Sequence, residues 1–364
     1  MTYINPRGKP LAHLDRLAVW QRGGVAPPVT LEWDLTNRCS LGCAACHFAY
    51  THTRGPWANR PTAVPTSHSP GGDVAEMAPL LRALEGARDF GVRAVVWTGG
   101  GEPTLHPSWQ EIVTYAQAYG LQQGMYTHGG HLSAASGEYL ALIAQWVVVS
   151  LDADTPGTYA AEKGVPESRF HAACDGVRHL AHHHAKIGVS FLLHESNWMR
   201  VHAMQQLARD LGADYVTFRP TVTTSPAAPA SPTGYRGWVD GALPLLRGLQ
   251  HDPFVEVDPL RFEQWRDWLP GGPTSRSYAA VGCHGIKLNA TVTPDLRVWV
   301  CPNRREFDDG SCLGDLSTES WGEVWARHPG TWRDFTNCRA LCRLHPVNET
   351  LGEVFAEREH EAFI

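Results

Sequence analysis

The sequence predicts an α/β protein whose parallel sheet curls into a partial barrel. Six short apolar segments are spaced along residues 31–220, and amphipathic helical segments lie between them. Strands that alternate with helices pair in parallel and carry the helices on the outside of the sheet. The reactive groups of such folds lie at the carboxyl ends of the strands. We therefore expect the functional residues at that rim.

Each predicted strand is a short apolar run that ends at a turn. The six runs are 31–36, 92–100, 121–130, 146–153, 187–195 and 213–220. In segments 75–91 and 169–186 the apolar residues recur three and four positions apart, which predicts helices. Adjacent residues of a helix point in different directions, so His182, His183 and His184 are predicted to form a solvated helix end rather than a metal site.

Composition narrows the function classes. The 364 residues are 43% hydrophobic with a mean hydropathy of −0.27, which is typical of a soluble globular protein. No apolar run is long enough to span a membrane, and the amino terminus lacks a signal-peptide core, so we expect a cytoplasmic protein without a membrane partner. A net charge of −6 argues against nucleic-acid binding, which needs a basic surface.

A cysteine trio, formed by Cys39, Cys43 and Cys46, directly follows the first predicted strand. A disulfide framework is the alternative for the nine cysteines, but such frameworks are typical of small secreted chains. A structural zinc site usually has four protein ligands. Three cysteines on one loop favour a 4Fe–4S cluster with one iron left open for another ligand.

A glycine turn follows the second predicted strand. Gly99, Gly100, Gly101 and Glu102 occur in the segment TGGGEPTLHP. Glycine lets the backbone approach a small ligand closely, and Glu102 offers a partner for an ammonium group. Glycine turns after strands are common, so this turn alone is weak evidence for a ligand site. Its predicted place beside the cysteine trio at one rim makes the evidence stronger.

These motifs resemble those of the radical S-adenosylmethionine (SAM) enzymes, and the resemblance runs from about residue 30 to 220. The cysteine trio matches the family's cluster motif, and the glycine turn matches its SAM-methionine motif. One departure is Ala45, where the family usually has an aromatic residue before the third cysteine. The resemblance implies that His47 and Phe48 supply the packing against adenine instead.

The resemblance also implies a fold, a cofactor and a chemistry. The expected fold is a partial (β/α)6 TIM-like barrel that binds SAM, with Ser150, Asp152 and Arg219 as further SAM contacts. An electron from the reduced cluster would cleave SAM to methionine and a 5′-deoxyadenosyl radical, which takes hydrogen from an unactivated carbon. The expected electron donor is a flavodoxin or ferredoxin.

A second cysteine group lies in the last quarter of the chain: Cys283, Cys301, Cys338 and Cys342. The first pair flanks a predicted hairpin with TPDLR as its turn, and the second pair lies on a predicted helical turn. Zinc is one reading of four such cysteines. The segment resembles the Twitch or SPASM domains of radical SAM enzymes, which implies one auxiliary 4Fe–4S cluster used for electron transfer.

The predicted domains follow from these motifs. They are an N-terminal extension (1–30), the radical SAM barrel (31–220), a linker and helical segment (221–270) and an auxiliary-cluster domain (271–364). Cys174, on a predicted helix, is expected in the core. Cys312 has two readings, a buried apolar residue or a thiol that donates hydrogen to a substrate radical, as in radical SAM epimerases.

Three functions remain open from the sequence. The first is an enzyme that epimerises, or less readily dehydrogenates, a carbohydrate, aminocyclitol or nucleoside in natural-product assembly. The second is a maturase of ribosomally made peptides, and the third is a non-catalytic iron–sulfur or zinc scaffold. Only some thirty residues precede the first strand, which leaves no room for a leader-binding domain and favours the small-molecule substrate. Asp154, His194, Glu195 and Asn197 lie at strand ends where a polar substrate could be held.

Overall fold

The computed structural model describes residues 7–43, 46, 74–221, 237–267, 281–305, 310–333, 342 and 344–356. Within these ranges the strands are β1 (Thr30–Asp34), β2 (Ala94–Thr98), β3 (Gln122–Thr127), β4 (Trp146–Ser150), β5 (Lys186–Leu193), β6 (Tyr215–Pro220), β7 (Val255–Val257), β8 (Asn289–Val292), β9 (Arg297–Trp299) and β10 (Cys312–Asp315). They form one sheet in the order β10-β9-β8-β1-β2-β3-β4-β5-β6-β7. Every neighbouring pair from β8 to β7 in this order is parallel.

The α-helices of the described residues alternate with the strands. They are α1 (Leu14–Gln21), α2 (Met77–Phe90), α3 (Trp109–Ala118), α4 (Ala134–Ile143), α5 (Pro156–Lys163), α6 (Ser168–Leu180), α7 (Val201–Asp210), α8 (Trp238–Leu249), α9 (Pro259–Asp267), α10 (Trp321–Trp325) and α11 (His345–Phe355). None of them is long and apolar enough to cross a lipid bilayer, as far as the described residues extend.

Helix α5 shows how local sequence fixes an element that matters for the site. Thr155 caps its amino end by accepting a hydrogen bond from the backbone N–H of Thr158, and proline occupies the first helical position. Gly164 ends the helix in the left-handed conformation, with φ 63°. The last helical residues, including Glu162 and Lys163, are thereby held at the carboxyl rim of the sheet.

The register gives the sheet one apolar and one polar face. Side chains that share a register level lie on the same face, and the face packed against the helices carries buried apolar residues such as Trp33, Trp97 and Phe191. The opposite face carries Glu32, Asp34, Thr98, Tyr126, Ser150, Ser190, Thr217, Arg219, Glu256 and Thr291. An open α/β barrel places this second face inside its curve, so the interior of the barrel is polar.

The structure confirms the α/β class, the parallel sheet and all six predicted barrel strands. It also confirms the predicted hairpin, since β8 and β9 pair antiparallel between Cys283 and Cys301. Cys174 is buried, and the three histidines after α6 are exposed, as expected. The hairpin extends the barrel sheet, because β8 pairs in parallel with β1. The domain boundary at residue 271 stays a prediction.

Several sequence predictions fall outside the described residues. These are Ala45, His47, Phe48, Cys338 and most of the proposed linker after residue 221.

Candidate active site

The cysteine trio lies on the loop that follows β1 at the carboxyl rim. The backbone N–H of Cys46 donates to the carbonyl oxygen of Cys43 at 3.1 Å, which closes a tight turn between the second and third cysteines. The N–H of Gly42 donates to the carbonyl oxygen of Lys163 at 2.8 Å, so the end of α5 supports the same loop. All three cysteines are partly buried.

The glycine turn after β2 is hydrogen-bonded to the start of this cysteine loop. Gly101 N–H donates to the Thr36 carbonyl at 3.0 Å, and Glu102 N–H donates to the Arg38 carbonyl at 2.8 Å. A Cβ at Gly101 would collide with the Arg38 carbonyl, and one at Gly100 would collide with the Asn37 side chain. The contact therefore requires glycine and fixes the two predicted motifs against each other. At Gly99 an added Cβ would meet the backbone of the turn itself.

The Glu102 carboxylate is buried and fully engaged with the protein. Its Oε1 accepts from the Thr104 hydroxyl at 2.7 Å and from the Thr127 hydroxyl at 2.6 Å. Its Oε2 accepts from the backbone N–H of His128 at 2.8 Å. Although burial opposes ionisation, the hydrogen bonds from Thr104, Thr127 and the His128 N–H help to hold the pKa of Glu102 below its usual value. In this structure the side chain anchors the glycine turn to the end of β3, and its contact with an ammonium group stays a prediction.

His128 links Glu102 to the cysteine loop, and sequence reasoning did not single it out. Its Nδ1 accepts from Gly130 N–H at 3.0 Å, so the ring proton belongs on Nε2. Nε2 lies 3.3 Å from the Ser40 hydroxyl oxygen and 3.7 Å from Glu102 Oε2. Burial lowers the pKa of His128 and favours this neutral form.

Ser40 continues the network on the cysteine loop itself. Its hydroxyl accepts from Arg169 Nη2 at 3.2 Å and lies 2.9 Å from Nε2 of His131. Because Arg169 also donates to that nitrogen of His131, the Ser40 hydroxyl donates to it as well. Ser40, which directly follows the first cysteine, is thus tied to the segment after β3 and to α6. In the sequence, Ser40 is distinguished only as a polar residue that follows the carboxyl end of the first predicted strand.

On the other side of the cysteine loop, Lys163 supplies a buried positive charge. It forms an ion pair with Asp152, which has a positive φ of 63° and accepts a 2.8 Å hydrogen bond from Leu192 N–H. Burial alone would lower the pKa of Lys163, but the charge of Asp152 and the hydrogen bond to it outweigh burial and raise that pKa. Sequence reasoning named Asp152 and missed Lys163, whose role depends on the end of α5.

Burial keeps the thiols of the loop protonated. It raises the pKa of Cys39 to about 12, with the charges of Cys43 and Glu102 adding to the effect. It also raises the pKa of Cys43, against which the charge of Lys163 acts. A bound metal would reverse this preference, since metal ligands are thiolates and their binding releases protons.

The other two predicted SAM contacts lie on the polar inner face. Ser150 ends β4 and stands at the register level of Ser190. Arg219 stands on β6 at the level of Leu192, with Nη2 3.5 Å from the Tyr126 hydroxyl. Both lie at the carboxyl rim, like the cysteine loop and the glycine turn.

Two predicted polar positions at the strand ends are occupied by ion pairs. His194 Nε2 lies 2.7 Å from Glu162 Oε1, and Asp154 accepts two hydrogen bonds from Nε of Arg200 and one from its Nη2. Asn197 is buried, and its side chain bonds the backbone of His194 and Leu192. Asp154 and Asn197 therefore hold the rim together in this structure.

Residues 33–207 match the family model described as "Radical SAM superfamily". Over this range the chain is similar to the radical SAM superfamily. The matched range begins in β1 and includes the cysteine loop, the glycine turn and the Asp152–Lys163 pair.

Two relatives of the chain have names that refer to bacteriocin biosynthesis and to peptide cyclisation. The chain is 25% identical over 307 residues to the antilisterial bacteriocin subtilosin biosynthesis protein AlbA of Bacillus subtilis, which covers 82% of this chain and 59% of AlbA. It is 28% identical over 200 residues to the PqqA peptide cyclase of Xanthomonas campestris, which covers 53% and 46% of the two chains. The chain thus spans about half to three fifths of the length of these relatives.

A solved structure shares the fold. Streptococcus suis SuiB superposes with a TM-score of 0.63 at 13% identity, covering 90% of this chain and 73% of SuiB. The shared fold extends beyond the radical SAM domain into the C-terminal segment.

The residues of the cysteine loop fit an iron–sulfur cluster by donor chemistry. Three thiols on one rim loop, with a buried lysine beside them to balance thiolate charge, are the ligands such a cluster takes. In the described residues no three His, Cys, Asp or Glu side chains stand in metal-ligating geometry. The role of the trio as cluster ligands therefore stays a prediction.

Three cysteines of the second group are buried in the C-terminal segment. Cys283 pairs with Trp332 through two backbone hydrogen bonds, and its sulfur accepts from Asn348 Nδ2 at 3.2 Å. The side-chain oxygen Oδ1 of Asn348 accepts from the backbone N–H groups of His284 and Gly285, which fixes the orientation of the side-chain amide. Donors aimed at sulfur suit a thiolate ligand.

The sulfur of Cys301 likewise accepts from the Asn303 N–H, at 3.4 Å. The third cysteine, Cys342, lies close enough to α9 for its charge to act on Arg261. The fourth predicted ligand, Cys338, lies outside the described residues.

Cys312 begins β10, the edge strand beside β9, three strands from β1. Burial raises the pKa of its thiol, and its sulfur lies 4.0 Å from the Gly314 carbonyl oxygen. The hydrogen-donor role of Cys312 stays a prediction.

Proposed function

We propose that this protein is a radical SAM enzyme that modifies a ribosomally made peptide. The observation that carries the radical chemistry is the fixed contact between the cysteine loop and the glycine turn, made by backbone hydrogen bonds from Gly101 and Glu102, with no room for a Cβ at Gly101. The peptide substrate is supported by the similarity to AlbA over 82% of the chain and to the PqqA peptide cyclase.

In this proposal the cysteine trio holds a 4Fe–4S cluster and the backbone of the glycine turn faces SAM. When bound, the cluster supplies the electron that cleaves SAM into methionine and a 5′-deoxyadenosyl radical. Lys163 balances negative charge near Cys43, while Ser150 and Arg219 contact SAM or substrate on the inner face. Asp152 acts through Lys163 and holds it beside the loop.

The fold supplies orientation and excludes bulk water. The helices and the apolar face enclose the sheet, so a radical formed at the rim meets a defined polar interior rather than solvent. A peptide segment entering this interior would present one C–H bond to the radical. Cys283, Cys301, Cys338 and Cys342 are proposed to hold an auxiliary cluster that passes on the electron left after hydrogen abstraction.

Carbohydrate or aminocyclitol epimerisation is the weaker reading. The unassigned Cys312 favours it, whereas the names of the relatives favour peptides. A flavodoxin or ferredoxin as reductant fits both readings.

The test begins with anaerobic reconstitution of the chain. We expect two 4Fe–4S clusters, near eight irons for each chain by cluster stoichiometry. Replacing Cys39, Cys43 and Cys46 by Ala should halve the iron and abolish SAM cleavage. Replacing Cys283 should remove the auxiliary cluster and leave uncoupled cleavage. SAM cleavage by the triple variant, or zinc in the C-terminal site, would refute the assignment.

The substrate class is tested separately by mass spectrometry. Short peptides encoded beside the gene are incubated with the reconstituted enzyme, SAM and a reductant. A mass change that needs SAM supports the maturase. Conversion of an aminocyclitol or nucleoside, with every such peptide unchanged, would return the function to small-molecule chemistry.

A further inference from the structure

Two arginines, Arg219 and Arg261, lie near each other and form no ion pair within the described residues. Arg219, on the inner face of β6, has the Tyr126 hydroxyl as its hydrogen-bond partner, at the long distance of 3.5 Å, and its guanidinium lies 5.8 Å from the centre of that ring. Arg261 lies on the first turn of α9, which packs against β6. Within the described residues the Arg261 guanidinium makes no hydrogen bond and no ion pair.

The two guanidinium groups are close enough to repel each other. The pKa of Arg261 is lowered, first by burial and next by the charge of Arg219. Tyr126 acts on both arginines, so the three side chains face one region. Both side chains are only partly exposed, and holding two like charges together in such a site is unfavourable unless an opposite charge joins them.

The nearby carboxylates are committed elsewhere. Asp152, whose charge reaches Arg219, forms the ion pair with Lys163 and accepts from Leu192 N–H. Asp258, whose charge reaches Arg261, accepts from the N–H of Leu260 at the start of α9.

Other arginines on nearby helices, unlike Arg219 and Arg261, have acidic partners. Arg200, Arg209, Arg247 and Arg266 all form ion pairs with Asp or Glu at 2.5 or 2.6 Å. In a chain with a net charge of −6, an arginine pair that lacks an acid is unusual. Such a pair offers the charge and the hydrogen-bond donors that a carboxylate requires.

We propose that Arg219, Arg261 and Tyr126 form a binding site for a carboxylate group inside the barrel. Building on the proposed function, the expected source is an acidic side chain or the C-terminal carboxylate of the peptide substrate. The carboxylate of SAM offers the same chemistry, so the two sources are separated by experiment. A carboxylate next to the modified residue of the peptide would then help to determine which peptides the enzyme accepts.

The first test measures binding without any radical chemistry. The probes are N-acetyl-glutamate α-amide, which carries one side-chain carboxylate, and its neutral analogue N-acetyl-glutamine amide. The whole reconstituted chain is titrated at constant ionic strength, and its melting temperature and probe affinity are recorded. We expect stabilisation by the glutamate probe and binding at least about tenfold tighter than that of the glutamine probe, as charge-assisted hydrogen bonds predict.

Variants identify the residues responsible. Arg261→Met should raise the melting temperature of the probe-free protein, because it removes a like charge, and should abolish the preference for glutamate. Arg261→Lys keeps the charge and should retain part of the preference. The matched control is Arg266→Met on the same helix, where the arginine is paired with Asp240 and Asp267; the preference for glutamate should persist.

A third measurement separates the two sources. SAM and decarboxylated SAM are compared for binding to the wild type and to the Arg261→Gln variant, which leaves the predicted SAM contact Arg219 in place. If the site holds the peptide carboxylate, the variant binds SAM as the wild type does. If it holds the SAM carboxylate, the preference for SAM over decarboxylated SAM falls by about tenfold. The proposal is overturned if the wild type does not distinguish the glutamate from the glutamine probe and the Arg261→Gln variant keeps the wild-type preference for SAM. Whether the triple-cysteine variant loses SAM cleavage tests the proposed function alone and does not test the carboxylate site.

Discussion

At the scale of single residues, Gly101 links the two motifs of the radical SAM domain. The carbonyl group of Arg38 occupies the space of any Cβ, and a backbone carbonyl held by Glu102 N–H cannot move aside cheaply. We expect Gly101→Ala to displace the glycine turn and to weaken SAM binding at least about tenfold. The reason is that the added Cβ overpacks the turn itself, at a cost of about 1–3 kcal/mol. Equilibrium SAM binding to the reconstituted protein measures this.

The control for Gly101 is another glycine with free space. An added Cβ at Gly248 in α8 meets no atom within 4 Å, so Gly248→Ala should leave SAM binding unchanged and raise stability by up to about 1 kcal/mol through helix propensity. Equal SAM affinity in both variants would show that the glycine turn does not approach SAM.

His328 makes stability depend on pH. Its Nε2–H donates to the Ile286 carbonyl and its Nδ1 accepts from Gly330 N–H, between the rings of Trp20 and Trp325. Burial lowers the pKa of His328 to about 4 from 6.5. Between these values the unfolded chain binds a proton that the folded chain does not, so the free energy of unfolding falls as pH drops from 6.5 to 4, by about 3 kcal/mol in total.

The variant His328→Phe keeps a ring in this position and removes the titration. Its unfolding free energy is expected to be lower at neutral pH, since the Ile286 carbonyl and Gly330 N–H lose their partner, but to depend less on pH between 6.5 and 4. Urea unfolding at several pH values compares the two slopes. An unchanged slope would exclude His328 as the titrating group.

At the scale of elements, a buried ion pair joins β1 to the segment after β9. Asp34, at the end of β1, pairs with Arg305, 271 residues later, and both side chains are buried. The backbone N–H of Gly100 also stabilises the Asp34 carboxylate. Arg305 donates to the Pro302 carbonyl beside Cys301, so one contact connects the glycine turn with the second cysteine group.

Removing one partner of this pair should be costly. Asp34→Asn removes the buried carboxylate that pairs with the Arg305 guanidinium, and we expect a loss of about 3–5 kcal/mol of unfolding free energy. The double variant Asp34→Asn/Arg305→Met should recover part of the loss. The surface pair of Arg247 and Glu263 is the control, where Glu263→Gln should cost less than about 1 kcal/mol. Urea unfolding of the wild type, Asp34→Asn, Arg305→Met and the double variant gives the coupling energy, and independent effects of the two changes would contradict the pairing.

The elements themselves were predictable where a local pattern determines them. The barrel strands are apolar runs bounded by turns, and the glycine turn follows β2 directly, so spacing alone placed both motifs at one rim. Lys163, His128 and the Asp34–Arg305 pair were not predictable, because each depends on chain segments that meet only in the folded protein. The Arg219–Arg261 pair was missed for the same reason, although Arg219 was singled out by its place at the end of β6.

At the scale of the whole molecule, the C-terminal segment is part of the barrel sheet. Strand β8 pairs with β1 over four residues, and Trp321 and Trp325 donate hydrogen bonds to the carbonyl groups of Ala83 and Ala26. The sequence resembled a barrel with an appended domain, because the cysteines and the hairpin stand apart from the barrel along the chain. Pairing between residues 30 and 289 could not be read from local periodicity.

This pairing predicts that the barrel depends on its C-terminal segment. A chain that ends at residue 267 would expose the edge of β1 and the apolar surface under α10, and unpaired edges beside apolar surface promote aggregation. We expect this shortened chain to aggregate or to unfold without cooperativity, whereas a chain that ends at residue 356, after α11, should unfold as the wild type does. Circular dichroism during thermal unfolding and size-exclusion chromatography distinguish the two. A monomeric chain 1–267 with a cooperative transition and native sheet content would instead establish the barrel as an independent domain and the C-terminal segment as an attachment to it.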